Sequence, residues 1–192
     1  MKERLRSEIY RKSFHLTGVT VPISYVLFGR EVAILFTSVA LLAFVALEFV
    51  RIRAHSLFPL AKIASLVERQ SEKVTVAATV YFCIAADIVL IFLNSDAVII
   101  GLTAALLSDT AAALIGVGIG SHHIGHKKTV EGTIAGVFVA ALVVFLLNSN
   151  LIIAIIVGII FLFFDLIDIG IDDNFSTPLI MVIAIYFLEL IL

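Results

Sequence analysis

AVIIGLTAALLSDTAAALIGVGI, running from Ala97 to Ile119, decides how the whole chain is read. As a helix it extends roughly 34 Å at ~1.5 Å per residue, enough for a hydrocarbon core of ~30 Å. Inside it stands Asp109, about 18 Å from the start at the same rise. A carboxylate at helix centre costs ~2.5–3.5 kcal/mol on insertion scales, so it is read first as functional. The stretch ends glycine-rich at Gly116, Gly118 and Gly120. It then opens into Ser121-His122-His123-Ile124-Gly125-His126-Lys127-Lys128-Thr129, which runs into Val130-Glu131-Gly132. A carboxylate one helix-end away from a basic loop suits a bound polyanion and its metal.

Outward from this stretch, the composition excludes a soluble domain. Of 192 residues 61% are apolar and 15% charged, with a mean hydropathy of +1.17. Seven apolar runs have spanning length: Ser13–Gly29, Val32–Val50, Val74–Leu93, Ala97–Ile119, Thr129–Leu147, Leu151–Ile171 and Pro178–Leu192. The expected fold is an all-α polytopic membrane protein, one domain over residues 1–192 with about seven transmembrane helices. The basic-then-apolar N-terminus reads as a retained first helix, because no small-residue cleavage site follows it. Ala54 to Gln70 reads as an amphipathic helix on the inner interface. Cys83 is the lone cysteine, so no disulfide framework is expected.

Charge sorting sets orientation. All of the 13 Lys and Arg except Arg30 fall on one side of this topology, as do all five histidines. The positive-inside rule makes that side cytoplasmic, with the N-terminus on it. Connections on the other side are minimal: Gly29-Arg30-Glu31, Asn94-Ser95-Asp96 and Asn148-Ser149-Asn150. Chemistry is therefore expected at the inner face.

Several groups converge there. Glu8, Arg11, Lys12 and His15 share one helical stripe, suited to phosphate or to anchoring at headgroup depth. Glu48 and Arg51 are spaced for a local ion pair. Asp109 shares its face with Ala112, Ala113, Gly116 and Gly120, small residues that permit close approach. In the loop, Lys127 and Lys128 can neutralise phosphate, and Thr129 is placed to N-cap the fifth span as an anion site. Gly132 and Gly136 form a GxxxG packing pair. Asp165, Asp168 and Asp172 would lie on one stripe at the end of the sixth span, with Asp173 and Asn174 following. So many carboxylates cannot all stay ionised unless a cation or basic groups offset them, and oxygen ligands suit Mg²⁺ shared with substrate phosphates. These are the components of phosphoryl transfer, with a lipid alcohol as acceptor where the site meets the headgroups.

Four motifs in order resemble one family: Glu8-x2-Arg11-Lys12-x2-His15; Ser108-Asp109-Thr110-Ala111-Ala112 with Gly116 and Gly120; Lys127-Lys128-Thr129-Val130-Glu131-Gly132; and Asp172-Asp173-Asn174-x3-Pro178. They resemble the polyprenol kinase family, which takes in dolichol kinases, phytol kinases and CTP-using diacylglycerol kinases and is distantly similar to CDP-lipid synthases. The resemblance, not the spacing, implies CTP as phosphate donor. The chain departs from the family in being much shorter than eukaryotic dolichol kinases. It also has Asp165 and Asp168 where a Glu is expected.

The resulting expectation is a CTP-dependent kinase phosphorylating a polyisoprenoid alcohol, with no nucleic-acid partner. Asp109, Lys128 and Asp173 form the catalytic set. Arg11, Lys12, His15, Lys127, Thr129, Glu131, Gly132 and Asn174 hold nucleotide or phosphate. Asp109, Asp172 and Asp173 are the candidate Mg²⁺ ligands, with Asp109 alternatively the base. Two rivals stand beside this reading. One is a cytidylyltransferase forming a CDP-lipid. The other is a cation-coupled transporter using Asp87, Asp109 and Asp165 as relays.

Overall fold

The computed structural model describes residues 2–53, 78–124, 128–167 and 170–192. Among them the chain is helical apart from short connections. α1 (Lys2–His15) passes through a 3₁₀ turn (Leu16–Val19) into α2 (Thr20–Phe28). There follow α3 (Arg30–Arg53), α4 (Ala78–Phe92), α5 (Asp96–Gly118), α6 (Val130–Asn148), α7 (Leu151–Leu166) and α8 (Asp173–Ile191). Between α5 and α6 lies a two-residue antiparallel pair, β1 (His123–Ile124) with β2 (Lys128–Thr129), pairing His123 with Thr129 and Ile124 with Lys128.

Among the described residues, four helices are long and apolar enough to cross a membrane: Arg30–Val50 within α3, and all of α5, α6 and α8. α4 and α7 are apolar but shorter, at 15 and 16 residues. The first expected span is divided by the 3₁₀ turn, where Gly18 meets α4. A Cβ on Gly18 would lie 2.9 Å from Phe82 Cε1. The amphipathic stretch Ala54–Gln70 lies outside the described residues.

α5 is the central helix. One face buries Ala97, Ile100 and Ala104 against α6, α7 and α8, while Val98, Leu102 and Leu106 pack with α2, α4 and Val182 of α8. Small side chains set its crossings. A Cβ on Gly101 would stand 2.6 Å from Val182 Cγ2 and 2.7 Å from Val182 Cα. One on Gly132 would meet the Ala112 carbonyl at 2.5 Å. Gly136 packs against Phe161 and Ala112, the close contact expected of its GxxxG pairing. Gly101→Ala is expected to destabilise by ~1–3 kcal/mol, because backbone rather than a flexible side chain must move. Detergent unfolding of the purified variant checks this.

The end of the bundle opposite the lysines is closed by hydrogen bonds. Arg30, which the sequence reading sets apart from the other basic residues, donates Nε to the Leu90 carbonyl at 2.7 Å and Nη2 to that of Ile91 at 2.5 Å. It thus caps the last turn of α4, where a cation complements the helix dipole. Glu189 accepts from Asn148 at 2.6 Å and Ser95 at 3.4 Å, joining three helix ends. Asp87, about 7.5 Å from the end of α4, is buried and accepts from Ser38 of α3 at 3.2 Å.

Two boundaries differ from the sequence reading. α7 stops at Leu166 instead of continuing to Ile171, so Asp165 and Asp172 do not share a helical stripe. α8 starts at Asp173, five residues before Pro178, which lies in its second turn. The cause is a cap: Asp172 Oδ1 accepts from the Asn174 amide at 2.9 Å and from Asn174 Nδ2 at 2.8 Å. Asp is among the strongest N-cap residues, and Gly170 at φ +74° supplies the preceding turn. Asp168 lies outside the described residues.

Candidate phosphate site at one end of the bundle

Among the described residues, α1, α5, α6, α7 and α8, with the hairpin, contribute charge to one end of the structure. The stripe on α1 divides its labour. Arg11 turns back on Glu8, three residues away, in an ion pair. Lys12 and His15 reach across to α5, and both bond Oδ2 of Asp109, His15 Nε2 at 3.2 Å. The Lys12 side chain is buried with only 5% of the residue exposed, and Asp109 is the counter-charge it pairs with. The His15 ring also packs edge-on against Phe82, with centroids 6.2 Å apart.

A second charge group forms around Lys128. Its ammonium bonds the backbone carbonyl of Asp165, and lies 3.1 Å from Asp165 Oδ1 and 3.3 Å from Asp173 Oδ2. Lys128 therefore ties the β-hairpin to the end of α7 and the start of α8. Burial disfavours the ammonium, but Asp165 and Asp173 outweigh that and raise its pKa above the ordinary lysine value. Asp165 also accepts from Thr133 Oγ1 at 2.6 Å. The two groups are not independent, since Asp173 is within electrostatic reach of Lys128, Asp109 and Asp165.

Thr129 is the N-cap of α6, as its sequence position predicts, accepting from the Gly132 amide at 3.2 Å. It is buried beneath α5, where Cβ atoms on Gly116 and Gly120 would stand 2.9 Å and 2.6 Å from its hydroxyl. Thr129 and Gly132 thus make the α5–α6 crossing, with the hydroxyl engaged internally. Glu131 faces the other way. It accepts from Ser121 Oγ at 2.7 Å and the His122 amide at 3.3 Å, with His122 Nδ1 at 2.7 Å. That network closes the hairpin base, where the Val130 amide bonds the His122 carbonyl at 2.8 Å. In Glu131→Gln the Val130 amide is expected to exchange hydrogen about tenfold faster, read by deuterium uptake.

Of the residues singled out from sequence, the structure brings Lys12, His15, Asp109, Lys128 and Asp173 to one end of the bundle. Arg11 is there but faces Glu8. Asp172 and Asn174 bond each other as a cap, and Lys127 lies outside the described residues. The side chain of Arg51 likewise lies outside them, so the expected Glu48–Arg51 pair is not described. Among the described residues no three His, Cys, Asp or Glu side chains converge as a ligand set. Asp109 is held by Lys12 and His15, and Asp172 by its own cap. As arranged, these side chains do not fit a resident Mg²⁺.

Sequence reading passed over Thr133 and left Asp165 out of the site. Thr133 follows Thr129 by four residues on α6, which places both on one face. That spacing was the available signal. Chemically, the arrangement offers two ammonium groups, an imidazole and three carboxylates beside a helix N-terminus. Such a set can grip an oxyanion once the lysines exchange partners, and can accept a proton at a carboxylate. No protein-family model, curated protein or solved structure matches the chain at a significant level.

Proposed function

We propose that the chain is an integral membrane lipid kinase that transfers the γ-phosphate of CTP to the hydroxyl of a polyisoprenoid alcohol. The observation that carries this reading is Lys128 held between Asp165 and Asp173, with the Lys12–Asp109–His15 group electrostatically coupled beside it. These charges stand at one end of long apolar helices, where a lipid hydroxyl and an aqueous nucleotide can meet.

In the topology we propose, the chain crosses the bilayer seven times. α1, the hairpin and the α7–α8 turn lie at the cytoplasmic face, with an interfacial helix over Ala54–Gln70. The first crossing is then composite, made from the end of α1, the 3₁₀ turn and α2. Charge sorting supports this orientation. The resemblance to polyprenol kinases supports CTP as donor.

In the reaction the alcohol oxygen bonds to the γ-phosphorus, the bond from that phosphorus to the β–γ bridging oxygen breaks, and CDP leaves. Lys128, with Lys127 beside it in sequence, neutralises phosphate oxygens at the start of α6. Asp173 takes the hydroxyl proton, because it is exposed and, among the described residues, paired with Lys128 alone, at 3.3 Å. Asp109 positions Lys12 and His15 toward the same phosphates.

The test is to incubate purified protein with CTP or ATP and a panel of lipid alcohols, and identify products by mass. CDP with a lipid monophosphate is the expected pair. Pyrophosphate release from a phosphorylated lipid would assign the chain to CDP-lipid synthesis instead, and no turnover of any lipid would end the enzymatic reading.

A further inference from the structure

Lys12 and Lys128 have an arrangement that phosphate binding alone does not explain. A lysine kept for phosphate is expected to face solvent, ready for its anion. Here both ammonium groups sit on carboxylates, Lys12 buried and Lys128 partly exposed. Lys12 is buried on Asp109, and Lys128 sits among three oxygens of Asp165 and Asp173. Three oxygen contacts from two carboxyl-bearing residues and a backbone carbonyl are the kind of surroundings a hard cation would take. Asp109 is thereby paired with Lys12, and Asp165 and Asp173 share the one ammonium of Lys128.

We infer that Lys12 and Lys128 are built-in counter-cations that keep divalent metal off Asp109, Asp165 and Asp173 until both lysines are drawn away. A divalent ion approaching any of these carboxylates meets a fixed positive charge, and at these separations that repulsion is large in a partly buried setting. The ion and the ammonium compete for the same oxygens. A polyphosphate changes the balance by offering the lysines new anionic partners, so metal and polyphosphate enter together. That last step alone rests on the phosphotransferase reading above. His15, at 3.2 Å from Asp109 Oδ2, remains on the carboxylate when Lys12 leaves and preserves its orientation.

The experiment uses Mn²⁺ as the ion, followed by electron paramagnetic resonance on the purified full chain in detergent. Wild-type protein is expected to leave Mn²⁺ free. Lys12→Met and Lys128→Met are each expected to bind it at least ~10-fold more tightly, since one fixed charge has been removed. Stoichiometric micromolar uptake by the wild type overturns the inference, as does the absence of any gain in folded variants. Should the variants fail to fold, amine labelling of the wild type decides the matter. Excess Mn²⁺ is expected to accelerate labelling of Lys128, because ion and ammonium exclude each other, and an unchanged rate overturns the inference. Adding inorganic tripolyphosphate or a non-hydrolysable CTP analogue separates the two proposals. Wild-type Mn²⁺ uptake with either supports both, whereas variants that gain Mn²⁺ beside a wild type indifferent to polyphosphate sustain the counter-cation role and sink the kinase reading.

Discussion

Asp109→Ala is expected to lose about 3–5 kcal/mol of stability, the largest effect of any single substitution proposed for this protein. The reason is not the loss of an attraction but the charge left behind. Lys12 is buried, and without Asp109 its ammonium loses the counter-charge it pairs with inside the bundle. His15, whose Nε2 also bonds Asp109, is released with it. The comparison that isolates the cause is the double variant Lys12→Met/Asp109→Leu. Replacing a buried pair by apolar side chains of similar volume is commonly neutral or stabilising. Unfolding of the double variant is therefore expected near wild type, with Asp109→Ala far below both. In the proposed reaction, phosphorylation of the lipid alcohol is expected to vanish in both variants. Recovery of activity in the double variant would show that neither residue takes part.

Lys128→Ala is the second large effect, and it falls on turnover. Lys128 holds the hairpin to the α7 and α8 termini and, in the proposed reaction, faces the phosphates. Removing one such preorganised charge costs about 10²–10³-fold in kcat by analogy with oxyanion donors. Lys128→Arg is expected to rescue little. A planar guanidinium fork does not reproduce a compact ammonium set between Asp165 Oδ1, the Asp165 carbonyl and Asp173 Oδ2. Turnover under saturating CTP checks the size of the loss, and unchanged turnover in Lys128→Ala would remove the site from the mechanism.

How much of this could be read from sequence differs residue by residue. Thr129 as the N-cap of α6 was legible because capping is local: the side chain and the amide it meets are three residues apart. Glu8 and Arg11 were legible as neighbours for the same reason. Asp172 misled because helical spacing extended α7 through it, whereas its own cap with Asn174 begins a new helix. The apolar run could not reveal that break, since Ile167 and Ile171 are as apolar as the helix before them. The two-residue hairpin was equally invisible, for so short a pair leaves no alternation to detect.

Sequence alone determined that the chain is helical and apolar, and which acidic residues merit attention. These follow from composition and from periodicities of a few residues. Only the tertiary structure decided that Lys12 and His15 take Asp109, that Lys128 takes Asp165 and Asp173, and that Glu131 serves the hairpin. Those partners lie on different helices or across a turn. Their choice depends on how closely α5, α6 and α8 cross, a distance set by Gly101, Gly116 and Gly132 against the backbones and side chains they meet.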